Sequence, residues 1–224
     1  MSAQEPPPGS GTHPGAAYAD RFAGESPEMA AARHRAHFLP GPPPVEPAVG
    51  ATLAVLATTT AARSVVSVGS GGGLAALWLL RGMRADGVLT ALDGDPEQLR
   101  AARQALAEAK VPASRARLIF GTPGEVLPRL SPGAYDMVCC AGPPREYAEH
   151  LAALLALVRV GGTLTLHGLL EGGRIADRTA RDPQTVAWRE IGRTIRDDET
   201  VLPAVLPIGA GLMVATKRAA APAG

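Results

Sequence analysis

The sequence predicts an α/β chain in which a doubly wound, largely parallel sheet carries helices on both faces and is closed by an antiparallel hairpin. Three observations carry this expectation. From residue 64 onward, short β-branched runs alternate with longer helical stretches, the pattern of strand–helix–strand crossovers. A glycine-rich turn, Gly69-Ser70-Gly71-Gly72-Gly73, follows the first of those runs directly. Two apolar runs near the end, Glu199 to Pro207 and Leu212 to Lys217, are joined by Ile208-Gly209-Ala210-Gly211, which reads as a hairpin.

Taken in order, residues 1–24 carry Pro6-Pro7-Pro8, Pro14 and several glycines with almost no apolar periodicity, so a flexible arm is expected there. Ser26-Pro27-Glu28 opens a helix through Met29 to Phe38, with Ser26 as N-cap and Pro27 at the first helical position, and Pro40 stops it. After the rigid elbow Pro40-Gly41-Pro42-Pro43-Pro44, Pro47 to Thr60 reads as a second helix with Val49, Leu53 and Leu56 at helical spacing. Strands are expected at 64–68, 87–92, 115–120, 135–140 and 162–167. Between and after them, helices are expected at roughly 73–84, 96–110, 123–130, 144–159 and 183–197. The handedness of such crossovers puts the strand C-terminal ends along one rim, where function belongs. The organisation is thus an arm, a single domain over 25–218 with N-terminal helices at 26–60 and a sheet core at 64–217, and a tail at 219–224.

A length of 224 residues suits one domain. The formal net charge of +1 offers no basic stripe for nucleic acid or an anionic membrane. The two cysteines, Cys139 and Cys140, are adjacent and form no disulfide framework, so a reducing cytosol is the expected setting. The start lacks the flanks of a signal peptide, and no stretch approaches the roughly 18 apolar residues that span a bilayer. Among the basic residues only Lys110 and Lys217 are lysine, so a lysine general base would have to be one of these two.

Glycines at a strand-to-helix turn let the backbone approach a ligand and expose the amides of a helix start. That signal is weak alone, because ordinary turns use glycine too. The second strand strengthens it by ending at Asp93, close to the roughly 20-residue spacing at which a carboxylate reaches ribose hydroxyls. Asp95, just before Pro96 and Glu97, suits a helix cap and leaves Asp93 free for that task. An adenosine-containing cofactor follows, and a nicotinamide dinucleotide and S-adenosylmethionine satisfy these features equally.

The chain resembles the class I S-adenosylmethionine-dependent O-methyltransferases of the catechol and caffeoyl-CoA type, including their small bacterial members. The resemblance runs from about Ser26 to Lys217 and rests on Val66-Ser67-Val68-Gly69-Ser70-Gly71-Gly72-Gly73, Leu92-Asp93-Gly94-Asp95-Pro96, and Gly121 followed by Val126-Leu127-Pro128-Arg129-Leu130. Tyr135-Asp136-Met137-Val138, Gly161-Gly162-Thr163-Leu164 and Leu206-Pro207-Ile208-Gly209-Ala210-Gly211-Leu212 complete it. It implies a Rossmann-like, seven-stranded mixed sheet ending in the hairpin, and S-adenosylmethionine as cofactor. By the resemblance, Gly69, Ser70, Gly71 and Gly73 line the methionine portion, the helix start near Ala75 contributes amides, Asp93 holds the ribose, and Gly94 lies beside the adenine. Ala141, just after the fourth strand, joins them. The family's usual acidic residue at Ser67, and its frequent hydroxyl at Ala75, are missing.

The family also places an Asp after the fourth strand and an Asp-Asn pair after the fifth, together binding a divalent cation. Here Ala141, His167 and Gly168 stand instead, and the family's lysine has no match in Ala141-Gly142-Pro143-Pro144. No metal site is expected, since a hard cation wants several oxygen ligands. Methyl transfer then relies on alignment and on a side-chain base, for which His167 is the best-placed histidine, with a hydrogen-bonded strand-end histidine as the plainer alternative. His34 and His37 on the first helix could cover the pocket mouth or simply face solvent. Arg145, Glu146, Tyr147 and Glu149 are candidate substrate contacts, and Glu171-Gly172-Gly173-Arg174 a candidate wall of the acceptor pocket.

The leading reading is a methyltransferase acting on a small-molecule acceptor without magnesium. A cofactor-binding regulatory protein without turnover is the alternative, and an oxidoreductase is disfavoured by the terminal hairpin. The resemblance leaves a homodimer open beside a monomer.

Overall fold

The computed structural model describes residues 14–219, and its seven strands form one sheet in the order β3-β2-β1-β4-β5-β7-β6. The strands are β1 Ser64–Val68, β2 Val88–Asp93, β3 Ala116–Phe120, β4 Tyr135–Cys140, β5 Val158–His167, β6 Val201–Leu206 and β7 Leu212–Lys217. β1 to β5 run parallel, whereas β7 enters antiparallel beside β5 and pairs antiparallel with β6. The helices are α1 Pro14–Ala23, α2 Pro27–Ala36, α3 Pro47–Thr59, α4 Leu74–Gly82, α5 Pro96–Glu108, α6 Pro123–Val126, α7 Pro144–Ala148, α8 Leu151–Leu157 and α9 Pro183–Asp197. The expected seven-stranded mixed sheet is therefore the fold.

Alternation along the central strands separates two cores. Val65, Leu89, Met137 and Cys139 face the layer of α2 to α5, packing against Val49, Leu53 and Leu74 to Leu80. Val66, Val68, Leu92, Val138 and Cys140 face α7 to α9, against Tyr147, Leu154, Trp188 and Ile191. Successive strand side chains point to opposite faces, which is why the adjacent cysteines part company. Both are free and buried, and burial pushes the Cys139 thiol up to about 12, so neither is a ready nucleophile.

Capping residues act as their side chains dictate. Ser26 Oγ accepts from the Met29 amide at 3.3 Å, and Asp95 Oδ1 from the Glu97 amide at 2.8 Å, starting α2 and α5. Three local expectations need correction. Residues 14–23, expected within a flexible arm, form α1, which is anchored where Asp20 Oδ1 accepts from the Ala48 amide at 2.9 Å at the start of α3. Residues 1–13 and 220–224 lie outside the described residues. The helix expected over 144–159 is two helices, α7 and α8, broken at Glu149 and His150. β5 begins at Val158, and its register against β4 shifts between Tyr135 and Met137.

The rim opposite the strand C-termini is closed by Asp136. Its carboxylate accepts from the amides of Arg63 and Ser64 at 2.7 and 2.8 Å and from Arg159 Nε at 2.6 Å. Burial alone would raise the Asp136 pKa; the Arg159 bond and the two amides outweigh it and hold it below the usual aspartate range. A carboxyl depressed in the folded state adds stability above its unfolded pKa and loses it as pH falls through the folded value. Urea unfolding should accordingly show wild type losing stability below about pH 4, with the slope reduced in Asp136→Asn; equal slopes would remove Asp136 from the acid response.

Candidate active site

The strand order reverses between β1 and β4, and ligands of open α/β sheets bind at such a point, beyond the strand C-terminal ends. A cavity of about 420 Å³ opens there, over the ends of β1, β2 and β4. Of the predicted cofactor residues, Gly69, Gly71, Asp93, Gly94 and Ala141 lie on its wall. Gly71, at φ +51°, has nothing within 4 Å of where a Cβ would stand, so its backbone is bare to the cavity. Gly69 sits close to the next strand end: a Cβ there would meet the Gly142 amide at 3.3 Å.

Ser70, Gly73 and Ala75 do not line the cavity. Gly73 is pressed against Ala102 and Ala105 of α5. Ala75 is 2% exposed, inside the α-helical core layer. Ser70 stands behind Asp93, donating to Asp93 Oδ2 from its amide at 2.7 Å and from its hydroxyl at 2.9 Å, while the Asp95 amide donates to Oδ1 at 2.9 Å. Asp93 is thus not free, as the spacing suggested, but already part of the turn. A carboxylate offers about four lone-pair sites, and three protein donors already use those of Asp93.

Three residues that the motifs did not single out complete the cavity wall or its support. Gln98, nearly buried, accepts from the Gly72 amide at 2.8 Å and donates to the Pro40 carbonyl at 2.7 Å, tying the glycine turn to the 40–44 elbow. Pro40 and Pro42 of that elbow reach the wall. The only signal for Gln98 in the sequence was its place one turn into α5. Of the further candidates, Tyr147 is fully buried, and its hydroxyl accepts from the Gly142 amide. Glu146 is on the wall, and burial, then the charge of Asp93, pushes its pKa up. Arg145 and Glu149 border an adjoining recess, and Glu171 and Arg174 are held to α9 by Thr185 and Asp182 at 2.7 and 2.5 Å, away from the cavity. His34 and His37 are exposed.

The charged groups on the cavity wall are of one sign. Asp93, Asp95 and Glu146 are on its wall, and no lysine or arginine is. Such a field favours a cationic ligand over an anionic one.

His167 ends β5. Because Cys140 pairs with Leu166, His167 stands across from Ala141, one strand over and on the same face. It is 7% exposed, and its Nε2 lies 2.7 Å from Glu46 Oε2 at the start of α3. Glu46 Oε1 accepts from the Ala210 amide in the hairpin loop at 2.8 Å. Glu46 drew no notice in the sequence, since its partner is 121 residues away.

Residues 26–218 match the model of the family described as O-methyltransferase. A protein of Mycobacteroides abscessus, provisionally named an O-methyltransferase, is 47% identical over 189 residues, covering 84% of this chain and 87% of its own. The crystal structure of a Corynebacterium glutamicum protein superposes with a TM-score of 0.83 at 32% identity, covering 92% of this chain and 96% of that one. Cofactor-bound Rv0187 from MTB gives 0.81 at 25% identity, covering 96% and 99%. With its family model matched along nearly the whole described chain and the glycine turn and strand-end carboxylate in place, the chain belongs to the O-methyltransferase family, whose class I members use S-adenosylmethionine.

Proposed function

We propose that this O-methyltransferase methylates a hydroxyl of a small molecule without a divalent cation. The observation that carries the reading is the donor set at the strand ends. Where the resemblance implies three oxygen-bearing metal ligands, the chain has Ala141, His167 and Gly168. Among the described residues, no group of three or more His, Cys, Asp or Glu could hold a metal ion. The imidazole of His167 and its nearest carboxylate, Glu46, are bonded to each other. Hard cations take six or more oxygen ligands, and these residues do not fit one.

The donor site in this reading is Gly69, Gly71, Asp93, Gly94 and Ala141, with Ser70, Gly73 and Gln98 supporting the turn from behind. When bound, S-adenosylmethionine supplies an electrophilic methyl group on a sulfonium, a cation that suits the acidic wall. Asp93 is placed to accept hydroxyl hydrogen bonds, and the bare Gly71 backbone permits close approach. Rigid alignment of two reactants is worth roughly 7–11 kcal/mol over a dilute encounter, so a metal is not obligatory. What a metal would have supplied, help in removing the acceptor proton, falls to a side chain, and His167 is our candidate. The match to an enzyme family disfavours the alternative of a cofactor-binding regulator without turnover.

Among the described residues, no helix is long and apolar enough to cross a membrane, and two buried free thiols suit a reducing cytosol. The test of the metal-free reading is turnover of the methyl donor over a panel of phenols with EDTA and with added magnesium. Equal rates are expected. Activity abolished by EDTA and restored by magnesium would overturn the reading.

A further inference from the structure

The bond between His167 and Glu46 has a direction. An ionised carboxylate only accepts hydrogen bonds, so Nε2 of His167 carries the proton that they share. Burial would raise the Glu46 pKa, but the bond to His167, the imidazole beside it and the amides about it outweigh this and hold the carboxyl below the usual glutamate range. In the neutral imidazole, a proton on Nε2 leaves the lone pair on Nδ1. Among the described residues Nδ1 has no hydrogen-bond partner, and it is not one of the fully buried unpaired polar atoms, so it keeps some access to solvent although His167 is only 7% exposed and stands beside the donor cavity's Ala141 rather than on its wall. The ring is otherwise held, with its backbone paired to Leu212 of β7 and Glu46 itself fixed from the other side by the Ala210 amide.

We propose that Glu46 is a positioning residue for the transfer reaction: it fixes His167 in the tautomer whose Nδ1 can take the acceptor proton, a carboxylate–imidazole pair standing where metal ligands are otherwise expected. The proposal rests on the metal-free reading above. The step balances without a further reactant. The acceptor oxygen forms a bond to the methyl carbon as the carbon–sulfur bond breaks, and that bonding pair stays on sulfur. The hydroxyl proton passes to Nδ1, giving an imidazolium whose charge Glu46 offsets, and later leaves to water. Orientation of an imidazole by a carboxylate on its far nitrogen is the arrangement that makes a histidine an effective base. The same two contacts would also serve as a plain clasp between α3 and the hairpin loop, so the test must separate the two roles.

Full-length Glu46→Gln, Glu46→Ala, His167→Ala and the Glu46→Ala/His167→Ala pair are compared. S-Adenosylhomocysteine affinity, measured by calorimetry, should stay at the wild-type value in all of them, because the donor cavity is not touched. On the phenol panel, kcat should fall in Glu46→Ala by about 100-fold, the low end of what a general base contributes. Glu46→Gln, which keeps an acceptor but loses the charge, should fall between it and wild type, with KM unchanged. The double variant should be no slower than His167→Ala, as expected of residues that act as a unit. Long-range proton–nitrogen NMR of the imidazole, which needs no acceptor, should find the proton on Nε2 in wild type and a mixture in Glu46→Ala.

Wild-type kcat in Glu46→Ala, or a wild-type ring protonated on Nδ1, would overturn the proposal. Loss of S-adenosylhomocysteine binding or of turnover by the unsubstituted protein would count against the donor-site reading instead, leaving the NMR result to decide this one. Turnover that requires magnesium and fails to respond to it in Glu46→Ala would make the pair metal ligands and overturn both.

Discussion

Asp93→Ala is expected to weaken S-adenosylhomocysteine binding by roughly 100- to 10,000-fold, because two charge-assisted hydrogen bonds of about 1.5–3 kcal/mol each are lost. The side chain ends β2 on the cavity wall, with three protein donors already on it. Removing it also leaves the Ser70 amide without its acceptor, so the turn itself should loosen and the melting temperature fall. Asp93→Asn keeps the shape and one acceptor oxygen, and its affinity should lie between wild type and alanine. Calorimetric titration with S-adenosylhomocysteine, run well below each variant's melting temperature, checks the order. An alanine variant that binds as tightly as wild type would mean that the ligand's sugar is not held at this strand end.

Gly73→Ala is the second substitution expected to have a large effect, and this one acts on stability. Gly73 precedes α4 with φ at +89°, a left-handed conformation that costs a residue with a Cβ about 1–2 kcal/mol. The added Cβ would stand 2.8 Å from Ala102 Cα and 2.9 Å from Ala105 Cβ, and forcing a methyl into a packed contact costs about 1–3 kcal/mol more. The sum, about 2–5 kcal/mol, is a large share of the 5–15 kcal/mol that holds a typical domain together. Urea denaturation should show it as a lower midpoint with the slope retained. Gly71→Ala makes the control, since its Cβ would meet nothing within 4 Å and only the backbone cost applies. A Gly73 variant no less stable than the Gly71 one would show that α5 yields and that the tight contact is not structural.

The parts of this molecule that were legible in the sequence are those in which local chemistry and final geometry agree. Ser26 and Asp95 cap the helices that they announced. The runs at 64–68 and 135–140 are strands to the residue, and the hairpin closes the sheet. Gly69, Gly71, Asp93 and Gly94 could be singled out, and they line the cavity, because a strand end, a tight turn and a carboxylate recur at fixed spacing. What escaped notice was set by contacts far apart in the chain. α1 is anchored through Asp20 to Ala48, 28 residues on. Gln98 is an unremarked polar residue until the fold brings Gly72 and Pro40 to either side of it. Ser70, Gly73 and Ala75 sat in the motif yet support the cavity from behind, because a motif records which residues make a turn and not which of its sides meets the ligand. Glu46 could not be read at all: nothing within ten residues of it marks it as other than a surface acid before a proline.

Because β7 runs against β5, the loop from Ile208 to Gly211 returns to the same rim as the strand C-termini, where Ala210 meets Glu46. The cavity wall, by contrast, is drawn wholly from residues 40 to 146. The carboxylate–imidazole pair is instead assembled from both stretches, Glu46 from the first and His167 with Ala210 from the second. Sequence change downstream of β5 therefore leaves every residue of the cavity wall in place and meets the carboxylate–imidazole pair only at the hairpin loop, through Ala210.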